Sequence, residues 1–260
     1  MSVRLIEPKF VERVWGRTSL APLYPDQEKK IGEVWFDAGP DFPLLTKFIF
    51  TDERLSVQVH PEDEYARAAE NSRGKTEMWY IIDAKPGAVI ALGFLKEFSK
   101  EQIRAGIADG SIEHMLNWTP ARAGDTFFTE AGIVHAIGAG ITLCEIQQNS
   151  DVTYRLFDYG RPRELHLEKG LDVLKTAPYE GRREFPVACE HFTTELLELT
   201  EPTTCAQDCD GVLVALEGSG EVGGKPMEAG QVALVSRSPG VRVQPKERLK
   251  LLHSRCGADL

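Results

Sequence analysis

Four side chains in the chain have the chemistry of metal ligands. Gln58 and His60 are separated by one residue, and Glu77 and His135 follow further along. In a strand, alternate residues point to the same face, so Gln58 and His60 would project together. Two imidazole nitrogens, a carboxylate and an amide oxygen suit a borderline metal such as zinc, with coordination positions left open for a substrate. Taken singly, each histidine could instead be an ordinary polar residue of a half-buried strand.

The segments that must position these residues are predicted to be short strands separated by glycine and proline. Residues 62–64 are acidic and predict a short helix after the ligand pair, because negative charge is favourable at a helix N-terminus. Residues 99–117 predict a second helical segment, since Ser99 and Gln102 have the spacing of a capping box. The predicted strands are 34–36, 44–50, 55–60, 77–82 and 88–93, with more from 124 to 158. Many short strands with glycine-rich turns predict a barrel or jelly roll.

Three longer motifs surround the candidate ligands. They are LSVQVHPED at 55–63, GDTFF at 124–128 followed by AGIVHAIGAG at 131–140, and EIQQNSDVTYRLFDY at 145–159. These motifs closely resemble those of type I mannose-6-phosphate isomerases, also called phosphomannose isomerases, and the resemblance extends from about residue 8 to about residue 166. The chain resembles the short prokaryotic form, because only the segment near 99–117 could correspond to part of the helical domain of longer members.

The resemblance implies a mainly β cupin fold, which is a jelly-roll β-barrel, with a small helical insert near 99–117. The polar segment 175–186, which contains two prolines and a glycine, predicts a domain boundary, so we expect the metal-binding catalytic domain at 1–175. Residues 187–260 have further strand and turn patterns of a cupin but no histidine pair. We therefore interpret them as a second, degenerate cupin-like C-terminal half without a metal site.

The resemblance also implies an activity. The expected enzyme is an aldose-ketose isomerase that interconverts mannose 6-phosphate and fructose 6-phosphate through an enediol intermediate. It would use one divalent metal ion, usually zinc, as a Lewis acid. The family pattern places that ion on Gln58, His60, Glu77 and His135.

Three further residues are candidates for the sugar site: Arg155 and Trp15 match positions of the family, and Lys75 precedes Glu77 by two residues and would share its face of the strand. Arg155, in the Thr-Tyr-Arg motif, is expected to act in catalysis and to bind the substrate, although a surface salt bridge is the alternative. Lys75 is expected to do both as well, unless it is an exposed turn lysine. Trp15 is expected to pack on the sugar ring, unless it belongs to the core. The group that transfers the proton stays open, because Lys75, Glu145, Asp158 and a metal-bound water are all chemically suitable.

Composition limits the partners. The net charge is −10, which argues against nucleic acid, whose binding needs a basic surface. A phosphorylated sugar would therefore need a local basic cluster, for which Lys75, Arg155 and Arg161 are the candidates. The sequence contains no run of about 18 apolar residues, so no membrane span is predicted. The N-terminus lacks the apolar core of a signal peptide, and five scattered cysteines suit a reducing cytoplasm. We expect a cytoplasmic monomer or small homo-oligomer.

Two other functions compete with the isomerase. A non-catalytic sugar-binding cupin could act as a regulator or sensor, and turnover under metal-replete conditions would exclude it. A different cupin metalloenzyme, acting on another sugar or as an iron dioxygenase, could use a similar ligand set. Gln58 in place of a histidine and the Gln-Gln-Asn-Ser-Asp run at 147–151 favour the sugar isomerases.

Overall fold

The structure, a computed structural model, describes residues 3–257. Strands account for 49% and helices for 11%, which confirms the predicted mainly β class. The helices are α1 (Asp63–Glu70), α2 (Lys100–Asp109), α3 (Ile112–Met115) and α4 (Leu167–Val173). The strands are β1 (Val3–Ile6), β2 (Lys9–Arg17), β3 (Ile31–Phe36), β4 (Leu44–Phe50), β5 (Val57–Val59), β6 (Glu77–Ala84), β7 (Val89–Phe94), β8 (Leu116–Pro120), β9 (Thr126–Thr129), β10 (His135–Ile137), β11 (Ile141–Gln148), β12 (Tyr154–Phe157), β13 (Arg182–Arg183), β14 (Val187–Ala188), β15 (Phe192–Leu199), β16 (Thr203–Gln207), β17 (Gly211–Val222), β18 (Lys225–Glu228), β19 (Val232–Val235) and β20 (Ser238–Cys256).

The chain forms two compact units. The described part of the first covers residues 3–13, 18–48 and 184–257, and the second covers 14–17 and 49–183. The second unit contains all four predicted metal ligands. The domain boundaries proposed from the sequence, 1–175 and 187–260, stay a prediction.

Two layers of antiparallel strands in the second unit position the predicted site. One has the order β12-β5-β10-β7-β8, and the other contains β13-β9-β6-β11. Their facing sides share one apolar cluster, to which β6 contributes Trp79 and Ile81 and β7 contributes Ile90 and Leu92. Because side chains alternate across a strand, the residues on these same faces point into the space between the layers.

Helices cover the outer face of the first layer. Val57 and Val59 of β5 pack there against Ile103 of α2 and Leu171 of α4. The helical segment predicted at 99–117 contains α2 and α3, but its last two residues begin β8, because Leu116 pairs with Phe94 of β7. The predicted capping box is present, since the Ser99 hydroxyl accepts from the Gln102 N–H and the Gln102 side chain accepts from the Ser99 N–H. Within residues 3–257 no helix is both long and apolar enough to cross a membrane.

The first unit has a separate core built on long strands. β20 pairs antiparallel with β15, β16 and β17, and its buried side chains include Val241, Val243 and Leu251. The strand patterns noted at 187–260 correspond to strands in the structure, of which β17 and β20 are the longest. Gly223 and Gly224 form the turn of the β17–β18 hairpin, where both have positive φ angles that glycine adopts without strain.

Candidate metal centre

Strand register aligns three predicted site residues across the first layer. Arg155 of β12 lies opposite Gln58 of β5, and Gln58 lies opposite His135 of β10. Directly opposed residues of antiparallel strands have their side chains on the same face. His60 follows Gln58 by two residues and therefore belongs to that face as well. The alternation predicted from the sequence is thus extended by register to Arg155 and His135.

Glu77 faces this row from β6 of the other layer. It lies opposite Thr129 of β9 on one side and Gln147 of β11 on the other. Its side chain is fully buried. A buried carboxylate is costly unless it is paired with a cation or hydrogen-bond donors, so its surroundings decide its chemistry.

The side chains of His60, Glu77 and His135 converge. Their ligand atoms all lie within 4.8 Å of one another, and no other group of three such residues that could hold a metal occurs within residues 3–257. Nε2 of His60 is 3.6 Å from Oε2 of Glu77, and Nε2 of His135 is 3.5 Å from Oε1. The group could therefore hold a metal ion with two imidazoles and one carboxylate.

Backbone carbonyls orient both imidazoles. Nδ1 of His60 lies 2.9 Å from the Val152 carbonyl oxygen, and Nδ1 of His135 lies 2.9 Å from that of Ile133. A carbonyl only accepts, so each Nδ1 carries the hydrogen and each neutral ring keeps a lone pair on Nε2. Burial and, to a lesser extent, the charge of Lys75 lower the pKa of His135 to about 4, against the opposing effects of the Ile133 carbonyl and Glu145. Neutral imidazole is the ligand form.

Gln58 stands beside the three converging residues. Its Nε2 donates to Nε2 of His135 at 3.2 Å, and its Oε1 accepts from the hydroxyl of Ser56 at 3.4 Å. A half-turn of the amide would present Oε1 toward the centre, and oxygen is the atom that an amide offers to a metal. The role of Gln58 as the fourth ligand stays a prediction.

Lys75 lies inside the centre, not on an exposed turn. Only 3% of its surface is exposed, and its Nζ is 3.1 Å from Nε2 of His60 and 2.6 Å from Oε2 of Glu77. Glu145 is also close, with Oε1 at 3.8 Å. Burial alone would lower the pKa of Lys75, but Glu145 and Glu77 together raise it above its usual range. The side chain is a buried ammonium among two carboxylates.

A tight backbone contact fixes the turn before Lys75. The N–H of Lys75 donates to the Pro61 carbonyl at 3.1 Å, and the N–H of Gly74 donates to Oδ1 of Asp63 at 2.6 Å. A Cβ atom at residue 74 would lie 2.6 Å from the backbone nitrogen of Asp63. Glycine is therefore required at 74 for the loop to approach α1 this closely.

Glu145 is held by a residue that the motifs did not single out. Nε1 of Trp79 donates to Oε2 of Glu145 at 2.9 Å, and the indole stands edge-on to the His135 ring with centroids 5.4 Å apart. Trp79 follows Glu77 by two residues on β6, so alternation alone could have placed it on the site face. Its partner could not be found that way, because Glu145 is 66 residues further along the chain.

Arg155 and Trp15 are the other two residues predicted to bind the sugar. Arg155 is half-buried, and its Nη1 donates to the Glu164 carbonyl at 2.8 Å. Trp15 is 3% exposed and belongs to the apolar cluster between the two layers. Packing of Trp15 on a sugar ring stays a prediction.

Two arginines saturate the carboxylate of Asp158. Arg161 donates to Oδ1 through Nε at 3.1 Å and through Nη2 at 2.7 Å. Arg163 donates to Oδ2 through Nε at 2.6 Å and to Oδ1 through Nη2 at 2.7 Å. The pair with Arg163 is bidentate, and such pairs are strong and fix geometry. Asp158 is therefore committed to an ion-pair cluster with Arg161 and Arg163.

Comparisons with known proteins give consistent matches. No protein-family model matches the chain. The chain is similar to mannose-6-phosphate isomerase ManA of Bacillus subtilis (strain 168), with 37% identity over 242 residues that cover 77% of this chain and 75% of the relative. It is 48% identical to mannose-6-phosphate isomerase of Streptococcus mutans over 167 residues, which are 62% of this chain and 52% of the relative.

Among solved structures, the crystal structure of mannose 6-phosphate isomerase from Bacillus subtilis superposes with a TM-score of 0.86. The match covers 98% of this chain and all of that one, with 28% sequence identity. This match confirms the predicted cupin fold.

Proposed function

The chain belongs to the mannose-6-phosphate isomerase family, and we propose that it interconverts mannose 6-phosphate and fructose 6-phosphate. The observation that carries the proposal is the buried group of His60, Glu77 and His135. An isomerase of this kind must polarise a carbonyl and move a proton between adjacent carbons. The group offers metal ligands, and Lys75 and Glu145 stand next to it.

The described side chains fit a divalent ion. Both Nε2 lone pairs are free of a covalent hydrogen, because each Nδ1–H is bound to a carbonyl, and Glu77 supplies negative charge between them. Nitrogen and oxygen donors of this number and type suit zinc, and Gln58 would complete a set of four. A bound ion would supply Lewis-acid polarisation of the sugar carbonyl and would stabilise negative charge that develops on its oxygen.

We assign proton transfer between the two sugar carbons to Glu145. Its carboxylate is buried, is held by Trp79 at Oε2, and has Oε1 on the side of Lys75. The sequence left two other side chains as candidates for proton transfer. Asp158 is ion-paired with two guanidinium groups, and Lys75 is an ammonium between carboxylates. A carboxylate in a dry site is a competent general base because water does not stabilise its charge.

We assign Lys75 the role of a hydrogen-bond donor to the sugar oxygens. Its Nζ carries three donors and lies within reach of His60 and Glu77, where the carbonyl and hydroxyl of the reacting carbons would be bound. A positive charge held there stabilises the enediolate more than the neutral sugar, which is how such a group lowers a barrier.

Arg155 is proposed to bind the substrate from the first layer. It lies opposite Gln58, so its guanidinium enters the same face as the candidate ligands. The fixed fork of donors suits either an enediolate oxygen or a phosphate. Of the three cations predicted for the phosphate, Lys75 is committed to His60 and Glu77 and Arg161 is committed to Asp158, which leaves Arg155.

A coupled assay for mannose 6-phosphate turnover tests the proposal. Purified protein is assayed as isolated, after treatment with a chelator, and after zinc is restored. We expect the chelator to abolish turnover and zinc to restore it. No turnover with zinc, manganese, cobalt or iron would contradict the proposal and would favour a sugar-binding cupin or another substrate.

A further inference from the structure

Trp79 contacts two groups of the metal centre at once. Its indole is fully buried, and Nε1 donates to Oε2 of Glu145 at 2.9 Å. The same ring stands at 70° to the ring of His135, with the centroids 5.4 Å apart. Trp79 and Glu145 are directly opposed in the register of β6 and β11. The hydrogen bond therefore joins two neighbouring strands, whose backbones hold both of its ends.

The chemistry of the indole limits what Trp79 can do. Its N–H is a donor only, so it neither accepts nor relays a proton. A donor on one carboxylate oxygen stabilises the ionised form and fixes the rotation of the group. With Oε2 held by the indole, Oε1 of Glu145 faces Lys75 at 3.8 Å. Without the indole N–H, the buried carboxylate would lose a partner and could turn toward the ammonium.

We propose that Trp79 is a positioning residue, which holds Glu145 with Oε1 directed toward Lys75 and the substrate. The inference rests on the proposed function, in which Glu145 transfers the proton. Trp79 acts only through Glu145, since its N–H is committed to that carboxylate. Its contact with His135 is a ring-edge contact, which phenylalanine would largely preserve.

A double-mutant cycle tests this coupling. Trp79→Phe removes the N–H and keeps an aromatic ring beside His135. We expect kcat to fall about tenfold to a hundredfold, the range for a hydrogen bond to a charged group, with KM and zinc content changed less than about twofold. In the Glu145→Gln background, Trp79→Phe should lower kcat less than about twofold, because the carboxylate that Trp79 positions is no longer present.

Trp118→Phe is the matched control. Its indole also donates at 2.9 Å, but to the backbone carbonyl of Glu113, and we expect an unchanged kcat. An unchanged kcat in Trp79→Phe, or equal losses in both backgrounds, would overturn the proposal. Absence of turnover in the wild-type protein would instead contradict the proposed function.

A spectroscopic measurement tests for the hydrogen bond between Trp79 and Glu145 and does not depend on enzymatic turnover. The indole N–H signals are recorded by NMR on protein labelled with ¹⁵N in tryptophan, for the wild type and for Glu145→Gln. We expect the Trp79 signal to exchange slowly with water and to shift in Glu145→Gln, while the Trp118 signal stays in place. A Trp79 signal that does not move would overturn the inference, even if the Trp79→Phe variant failed to fold.

Discussion

Nζ of Lys75 lies 3.1 Å from Nε2 of His60 and donates to the same lone pair that a metal ion would use. An ammonium and a metal ion cannot share one lone pair, so metal binding must move Lys75 away from His60. Oε2 of Glu77 lies 2.6 Å from Nζ of Lys75 and 3.6 Å from Nε2 of His60, so Glu77 pairs with Lys75 and would also be a ligand of the ion. The position of the proposed hydrogen-bond donor is thus coupled to occupancy of the metal site.

Replacing the ammonium should separate metal binding from catalysis. In Lys75→Met we expect zinc to bind about tenfold more tightly or better, because a positive charge next to the ion is removed. We expect kcat to fall at least about a hundredfold, since the donor to the sugar oxygens is lost. Chelator competition and the turnover assay measure the two effects. Lys85→Met is the control, because Lys85 is exposed and pairs with Asp52. Weaker zinc binding in Lys75→Met would contradict the coupling.

Removing either imidazole should remove both the metal and the activity. We expect His60→Ala and His135→Ala each to weaken zinc binding at least about a hundredfold, because a ligand and its backbone-oriented ring are lost together. Turnover should fall below detection even with added zinc. Metal analysis and the coupled assay check this, with His114→Ala as a control at an exposed histidine. Activity that survives both substitutions would show that the site is assigned wrongly.

Local patterns were sufficient to predict the elements that carry the site. Alternation placed Gln58 and His60 on one face, and the spacing of Ser99 and Gln102 predicted the capping box that begins α2. These features depend on residues within a few positions of each other. The convergence of His60, Glu77 and His135 could be predicted only from the family's motifs, because the sequence alone does not give the register between distant strands.

The partners of individual side chains could not be read from the sequence. Lys75 is a turn lysine by position, yet the Gly74 turn and the register of β6 bury it between two carboxylates. Asp158 was suitable as a base by type alone, and only the fold shows that Arg161 and Arg163 occupy its oxygens. Glu145 is distant from Lys75 along the chain, and although Arg161 and Arg163 follow Asp158 closely, their contacts depend on a loop conformation that the residue types do not specify.

Arg155 offers a test of substrate binding that leaves the metal in place. We expect Arg155→Lys to lower kcat/KM for mannose 6-phosphate about tenfold to a hundredfold, because lysine keeps the charge but loses the fork of donors. Zinc content should not change, since the guanidinium is not a ligand. Arg104→Lys is the control, because Arg104 pairs with Glu168 on the surface. If kcat/KM is the same in Arg155→Lys and the wild type, Arg155 does not contact the substrate.

The first unit contains a histidine whose burial should make stability depend on pH. His253 is 2% exposed, and its Nε2 lies 2.8 Å from Oε1 of Gln207. Burial lowers the pKa of His253 to about 4, with a further contribution from Arg255, against the opposing effects of Glu195 and Asp208. Since the usual pKa is about 6.5, the unfolded chain takes up a proton below that pH and the folded chain does not. The contribution of neutral His253 to the free energy of unfolding is therefore fully present above about pH 6.5 and is lost as the pH drops toward 4.

We expect His253 to cost roughly 2 kcal/mol of the free energy of unfolding between pH 7.5 and pH 5, from the two pKa values and proton linkage. His253→Gln does not titrate, so its stability should fall by that much less over the same interval, whatever its stability at pH 7.5. Urea unfolding of both proteins at the two pH values measures the difference. Because all other titratable residues are the same in both proteins, their contributions cancel in the comparison. Equal losses in the two proteins would show that His253 takes up its proton in the folded state as readily as in the unfolded one.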